Sequence, residues 1–107
     1  MELEQYSIVL VNLDPTIGSE IKKTRPCVIV SPNEINKFLR TIVVAPMTTN
    51  LKNYPTRIKA KLNEKKGMIA IDQIRSIDKS RIIKKFDQLS KSEIQKCKDI
   101  IRETFVD

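Results

Sequence analysis

An arginine set directly before a proline, with an apolar run directly after it, is the arrangement in this chain with the clearest chemical content. Residues 18–31 read GSEIKKTRPCVIVS, a polar and charged loop that ends in Arg25-Pro26 and feeds Cys27-Val28-Ile29-Val30. The run is short and β-branched, as a core strand is. Pro26 donates no ladder hydrogen bond and suits the first residue of a strand. The sequence therefore predicts Arg25 at the mouth of a buried strand, on a rigid edge. A guanidinium carries five donors in a fixed fork, a shape that matches phosphate, and a position on an element end is what holding a reacting phosphate requires.

The remaining inventory narrows the chemistry. The chain has no histidine, which excludes His-based acid–base pairs, Ser-His-Asp triads and His-containing zinc sites. Its two cysteines and scattered carboxylates make no metal-ligand spacing, so no metal or other cofactor is expected. Gly18 stands outside any dinucleotide or P-loop spacing and reads as a residue that permits a turn. Catalysis is left to Arg, Lys, Thr, Ser, Glu, Asp or Tyr. Taken singly, each candidate has a plain structural reading: Arg25 pairs with Glu20, Thr48 bonds backbone at a strand end, Asp72, Arg75 and Asp78 form a solvated ion-pair cluster, and the lysines of residues 57–66 form a wet face.

The elements that must position these groups follow from pattern. With 107 residues, 40% of them hydrophobic and 31% charged, the chain reads as one domain over 1–107. Its net charge of +7 favours a polyanionic partner. Cys27 and Cys97 lie in no paired motif, which suits a reducing compartment. The first apolar run is too short for a signal peptide or membrane span, so a cytoplasmic protein without a membrane partner is the expectation. Strands are predicted over 7–13, 27–31, 41–45, 56–62, 68–71 and 81–86, with Pro46 closing the third and a charged turn over 63–67. A turn of helix is predicted over 33–38. Residues 72–81 give no clear period. Ser90-Lys-Ser-Glu93 is a capping box with Leu89 and Ile94 as its hydrophobic staple, and Ile94, Cys97, Ile101 and Phe105 recur at helical spacing toward the core. Short strands with one terminal helix predict a mainly β (α+β) fold, a small antiparallel barrel or curled sheet.

The joint order of NLDPTIGSE, TRPCVIVS, VVAPMTT and DQIRSID resembles the MazF/PemK family of toxin–antitoxin endoribonucleases, over nearly the whole chain. That resemblance implies an SH3-like barrel with an appended helix, a homodimer, and metal-independent, sequence-specific cleavage of single-stranded RNA, often mRNA, to 2′,3′-cyclic phosphate and 5′-hydroxyl ends. It also implies an acidic MazE-like antitoxin, with which such toxins bind DNA. The family's catalytic arginine falls on Arg25, its catalytic threonine on Thr48, and the glutamate of its Gly-Ser-Glu loop on Glu20. The pattern departs at Tyr6, Ser7 and Val9, where a Gly, an acidic residue and an aromatic are common, and at Ile21-Lys22, where Gln-Gly is common. Two readings from other classes stand beside it: a CcdB-like, non-enzymatic gyrase inhibitor, and a non-catalytic RNA-binding module.

In the endoribonuclease reading, attack by the ribose 2′-OH needs no external nucleophile. The protein must help remove one proton, stabilise charge on phosphorus and protonate the leaving oxygen. Arg25 and Thr48 are assigned the charge and donor roles, and Glu20 the base, since a guanidinium stays protonated in ordinary surroundings. Lys22, Lys23, Arg57 and Lys59 are expected to track phosphates. Thr16, Ser19, Ser31, Asn36, Thr49, Gln73 and Arg75 supply polar edges for reading bases. A positive dimer groove would also seat an acidic, partly disordered antitoxin tail.

Overall fold

The computed structural model describes residues 2–106. In chain order it contains β1 (Ser7–Asn12), β2 (Thr24–Ile29), α1 (Asn33–Phe38), β3 (Thr41–Thr48), β4 (Arg57–Leu62), β5 (Lys65–Ala70), β6 (Arg75–Asp78), β7 (Ile82–Gln88) and α2 (Lys91–Ile101). Short 3-10 turns at Ile71–Gln73 and Lys79–Arg81 flank β6, and a π-helical turn, Arg102–Val106, follows α2. The strands are ordered β4-β5-β3-β2-β1-β7, with β6 also on β3, and all pairings are antiparallel. This is the mainly β, curled antiparallel arrangement predicted from the sequence.

Both faces of the central strands are covered, which explains their nearly unbroken apolar runs. Alternation sends Ile8, Val28, Ala45 and Met47 into one cluster with Ile58, Ile69, Leu89 and Cys97. It sends Val9, Val11, Cys27, Ile29, Ile42 and Val44 into a second with Leu13 and Ile77. β4 is covered on one side only: Ile58 and Ala60 are buried while Lys59 and Lys61 are exposed, as its alternation required. Cys27 and Cys97 are unpaired and buried. Burial pushes each thiol up to about 12, so neither is a nucleophile near neutral pH.

The capping box of α2 forms as read, with Ser90 Oγ accepting from Glu93 N–H at 3.2 Å and Glu93 Oε1 accepting from Ser90 N–H at 2.9 Å. Glu93 Oε2 reaches across to accept from Lys61 N–H at 3.1 Å, tying the helix to β4. Phe105 departs from the expected core face. It is 59% exposed, because the chain leaves α-helical geometry after Ile101 and four-residue spacing no longer returns to the same side.

Boundaries also move. β2 starts at Thr24, so Arg25 and Pro26 lie inside the strand. β3 runs through Pro46 to Thr48. The turn expected over 63–67 shrinks to Asn63 and Glu64, at φ 50° and 67°, a primed two-residue hairpin turn. Lys65 and Lys66 therefore belong to β5, paired with Leu62 and Lys61.

Candidate active site where β2 and β3 part

The two prolines that sequence reading placed at strand edges instead open the sheet. β2 and β3 pair through Cys27↔Pro46, Val28↔Ala45 and Ile29↔Val44, and Val30 N–H donates to the Val43 carbonyl at 2.9 Å. That bond sets the parity: the backbone of β2 faces β3 at Val28 and Pro26, while that of β3 faces away from β2 at Pro46. Pro26 has no N–H to give, and the ladder ends at Cys27. β2 then continues along β1 alone, with Arg25 opposite Val11. On its other edge β3 pairs with β6 as far as Val44 and with β5 from Met47. Pro46 falls at that change of partner, where no donor is missed.

Register and pleat then bring the two sequence-predicted groups together. Extending the β2–β3 register two residues beyond Cys27↔Pro46 places Arg25 and Thr48 across from each other where the strands have parted. Both belong to the face that carries Cys27 and Val44. They line a cleft of about 110 Å³ with Pro26, Met47, Thr49 and Leu62, closed on one side by Lys65, Lys66 and Gly67. None of these lining residues is acidic. Arg25 is half-buried, and its Nε donates to the Lys22 carbonyl at 3.3 Å, which leaves the terminal amino groups for a ligand. Thr48 Oγ1 accepts from Asn50 N–H at 3.2 Å and so keeps its own proton to donate. Gly67 suits the close approach of β5: a Cβ there would stand 3.2 Å from the Thr48 carbonyl oxygen, which would have to give by a few tenths of an ångström.

Glu20 is not in this cleft. On the far side of Pro46 lies a separate pocket of about 340 Å³, lined by Ser19, Glu20, Ile21, Asp72, Gln73 and Arg75. Glu20 Oε1 accepts from Ile17 N–H at 2.6 Å, Ile21 N–H donates to Gln73 Oε1 at 2.6 Å, and Arg75 donates to the Leu13 carbonyl at 3.1 Å. The β1–β2 loop is thus pinned to the turn before β6, and Ser19, Glu20, Gln73 and Arg75 are gathered apart from Arg25 and Thr48.

Of the other predicted RNA contacts, Lys22, Lys23, Thr49 and Lys59 are exposed and Thr16 is half-buried. Ser31 and Asn36 are corrected: both are buried, because Ser31 Oγ donates to Asn36 Oδ1 at 2.5 Å and Asn36 Nδ2 donates to the Ser31 and Leu3 carbonyls. They hold α1 to the sheet. Arg57 is corrected too. It is committed to Asp72, with Nε to Oδ1 at 2.8 Å and Nη2 to Oδ2 at 3.2 Å, and its guanidinium lies 5.3 Å from the Tyr54 ring centroid. That guanidinium and the Thr56 hydroxyl hold the Asp72 carboxyl below its usual range. Sequence reading missed Lys65, Lys66 and Gly67 at the cleft because it placed them in a turn. Lys65 and Lys66 are exposed in succession and Gly67 to Ala70 buried in succession, so no alternation announces a strand there.

The fold is thus a small curled sheet whose Arg25/Thr48 cleft is rimmed by lysines. A family model for the PemK-like, MazF-like toxin of type II toxin-antitoxin systems matches residues 4–105, and the chain belongs to that family. It is 36% identical over 99 residues to Endoribonuclease MazF of Staphylococcus epidermidis, covering 86% of this chain and 82% of that protein. It is 31% identical over 105 residues to Endoribonuclease MazF of Staphylococcus saprophyticus, covering 92% and 88%. In fold it matches the crystal structure of MazF from Deinococcus radiodurans with TM-score 0.86 at 21% identity, over 96% of each chain. It also matches a mycobacterial endoribonuclease in complex with its cognate antitoxin, with TM-score 0.80 at 17% identity, over 94% of this chain and 92% of that one.

Proposed function

We propose that this protein is the toxin of a type II toxin–antitoxin pair and an endoribonuclease that cuts single-stranded RNA at the Arg25/Thr48 cleft. The observation that carries the reading is the juxtaposition of Arg25 and Thr48, each with donors left over, in a cleft with no acidic lining. The 2′-oxygen attacks phosphorus, the P–O5′ bond breaks, and the products are a 2′,3′-cyclic phosphate and a 5′-hydroxyl. Arg25 stabilises the charge that grows on the non-bridging oxygens and protonates the leaving 5′-oxygen, and Thr48 donates to the same phosphate. Removing one such donor costs on the order of 10²–10³ in rate. We assign the base to Glu20; because it stands in the separate pocket, it reaches the 2′-hydroxyl through a bridging water or a shift of the β1–β2 loop. Ser19, Gln73 and Arg75 share that pocket and suit the reading of a base edge. A Glu20→Gln variant that cuts at the wild-type rate removes the base assignment.

The partner is an antitoxin whose acidic tail competes for the same positive surface. A homodimer accounts for the exposed apolar side chains Ile35, Leu39 and Phe105, which border a depression of about 440 Å³ with Val30, Ile42 and Ile101. Sedimentation of wild type against Phe105→Glu tests the dimer, which the charge should dissociate. For the activity, the protein is incubated with a long mixed-sequence RNA in EDTA, the fragment ends are mapped, and Arg25→Ala is run alongside. Cuts at one recurring short motif, lost in the variant, are expected. A folded wild type that leaves the RNA intact overturns the reading.

A further inference from the structure

Lys66 and Gly67 line two depressions, the Arg25/Thr48 cleft and a larger one of about 640 Å³ beside it. The larger one lies between the β4–β5 hairpin and the first turns of α2, with Leu51 and Ala60 along it and Lys59, Lys61, Lys66 and Lys96 around it. Lys59 and Lys61 come from the outward positions of β4, Lys66 from β5 directly opposite Lys61, and Lys96 from α2. The β4–β5 hairpin and the distant α2 thus deliver four lysines to one concavity.

Little within the protein offsets that charge. The one carboxylate on the concavity, Glu93, has each oxygen occupied by a backbone N–H. Among the described residues the sole ion pair is Arg57 with Asp72, so none of the four lysines is paired. Like charges facing each other across neighbouring strands, as Lys61 and Lys66 do, work against folding. A concave, uncompensated cluster of this kind raises the local concentration of anions.

We propose that this concavity is an outer track for RNA, holding phosphates of nucleotides that flank the scissile step as they leave the Arg25/Thr48 cleft past Lys66 and Gly67. The inference rests on the endoribonuclease reading above. An RNA longer than the cleft has to leave it, and the wall shared at Lys66 and Gly67 offers an exit toward the four lysines. Ammonium groups contact phosphate as point charges and carry no base preference. The track therefore strengthens binding of long RNA without altering the sequence that is cut. Leu51, exposed at its edge, gives a base an apolar surface to lie on. Continuity with the cleft favours RNA over an acidic peptide as the occupant.

The test compares a short RNA bearing one mapped cut site with the same RNA extended on both sides by unstructured sequence. Wild type and Lys61→Gln/Lys96→Gln are assayed on each, both lysines being exposed, with melting curves to confirm folding. The short RNA is expected to be cut with unchanged kcat/KM. On the long RNA the double variant should show KM raised about tenfold with kcat unaltered, and a salt dependence of binding shallower by about 1.4 in log K per log salt, from two phosphate contacts on a single strand. Lys61→Arg/Lys96→Arg should restore the wild-type slope. A double variant that handles the long RNA as wild type does, at the same salt slope, overturns the track and leaves the enzyme reading standing. Unchanged RNA kinetics with lost neutralisation by the antitoxin would give the surface to the antitoxin instead and likewise overturn it. A wild type that cuts neither RNA brings down both readings.

Discussion

Arg25 and Arg57 sit at comparable places, each in the first two residues of a strand, and they have opposite fates. Arg57 is committed to protein partners: Asp72 takes two of its donors, the Tyr54 ring lies beside it, and its side chain is 10% exposed. Arg25 gives one bond to a carbonyl and faces an open cleft. The first fastens β4 to the turn before β6. The second keeps its terminal amino groups without a partner among the described residues. Residue type and strand position are the same in both cases, so the difference lies in what stands opposite: a carboxylate for Arg57, and for Arg25 a threonine at a split between strands.

The largest effect expected from that contrast is on catalysis. Arg25→Ala should lower cleavage by on the order of 10²–10³ with a melting temperature close to wild type, since little protein contact is lost. Thr48→Val keeps the shape, removes one neutral donor, and should cost on the order of 10- to 100-fold in kcat. Fragment yield from a fixed RNA, measured in single turnover, checks both. Full activity in Arg25→Ala would dissolve the contrast.

Arg57→Ala should behave in the opposite way. Losing its charged hydrogen bonds costs about 1–2 kcal/mol of stability, allowing for the solvent that reaches Asp72, or roughly 5–10 °C in melting temperature. Below that temperature cleavage should stay within about threefold of wild type, well under 1 kcal/mol in barrier. The pH dependence follows from the lowered carboxyl of Asp72. A group whose folded value is depressed contributes its stability above the unfolded value, 3.8, and loses it as pH falls below. The stability gap between wild type and Arg57→Ala should therefore be full at neutral pH and shrink as pH drops below 3.8, while Arg25→Ala tracks wild type across the same range. Denaturant midpoints at a series of pH values distinguish the two.

How much of this was legible depends on whether the deciding partner was local. α2 could be read because Ser90 and Glu93 are three residues apart and their bonds need nothing else. β1 to β3 could be read because burial on both faces leaves apolar runs that resemble little else. β6 could not, since only Ile77 of its four residues is buried and 3-10 turns flank it on both sides. The roles of Ser31 and Asn36 were hidden for another reason: each is polar, and only bonds to each other and to backbone groups distant in sequence let them be buried. The fate of Arg57 turned on Asp72, fifteen residues away. The prolines could be seen as punctuation, but which edge of the strand each one faced could be told only once the partner strands were known.

The smallest effect tests the hairpin that joins the two arginine regions, since β4 begins at Arg57 and β5 carries the cleft lysines. Its turn residues Asn63 and Glu64 both hold positive φ. Asn tolerates that conformation through its short polar side chain, whereas for Glu it costs about 1–2 kcal/mol. Glu64 is exposed, and its side chain makes no hydrogen bond or ion pair among the described residues, so nothing offsets that strain. Glu64→Gly relieves it but adds about 0.5–1 kcal/mol of backbone entropy to the unfolded chain, leaving a net gain of roughly 0.5 kcal/mol. Asn63→Gly should gain less or nothing, because the same entropy is added for less strain relieved. Melting temperatures of the two variants, with cleavage rates unchanged in both, would confirm that the turn sets the hairpin's stability without touching the chemistry. A Glu64→Gly protein that melts lower than wild type would mean that Glu64 is held by contacts which outweigh its backbone strain.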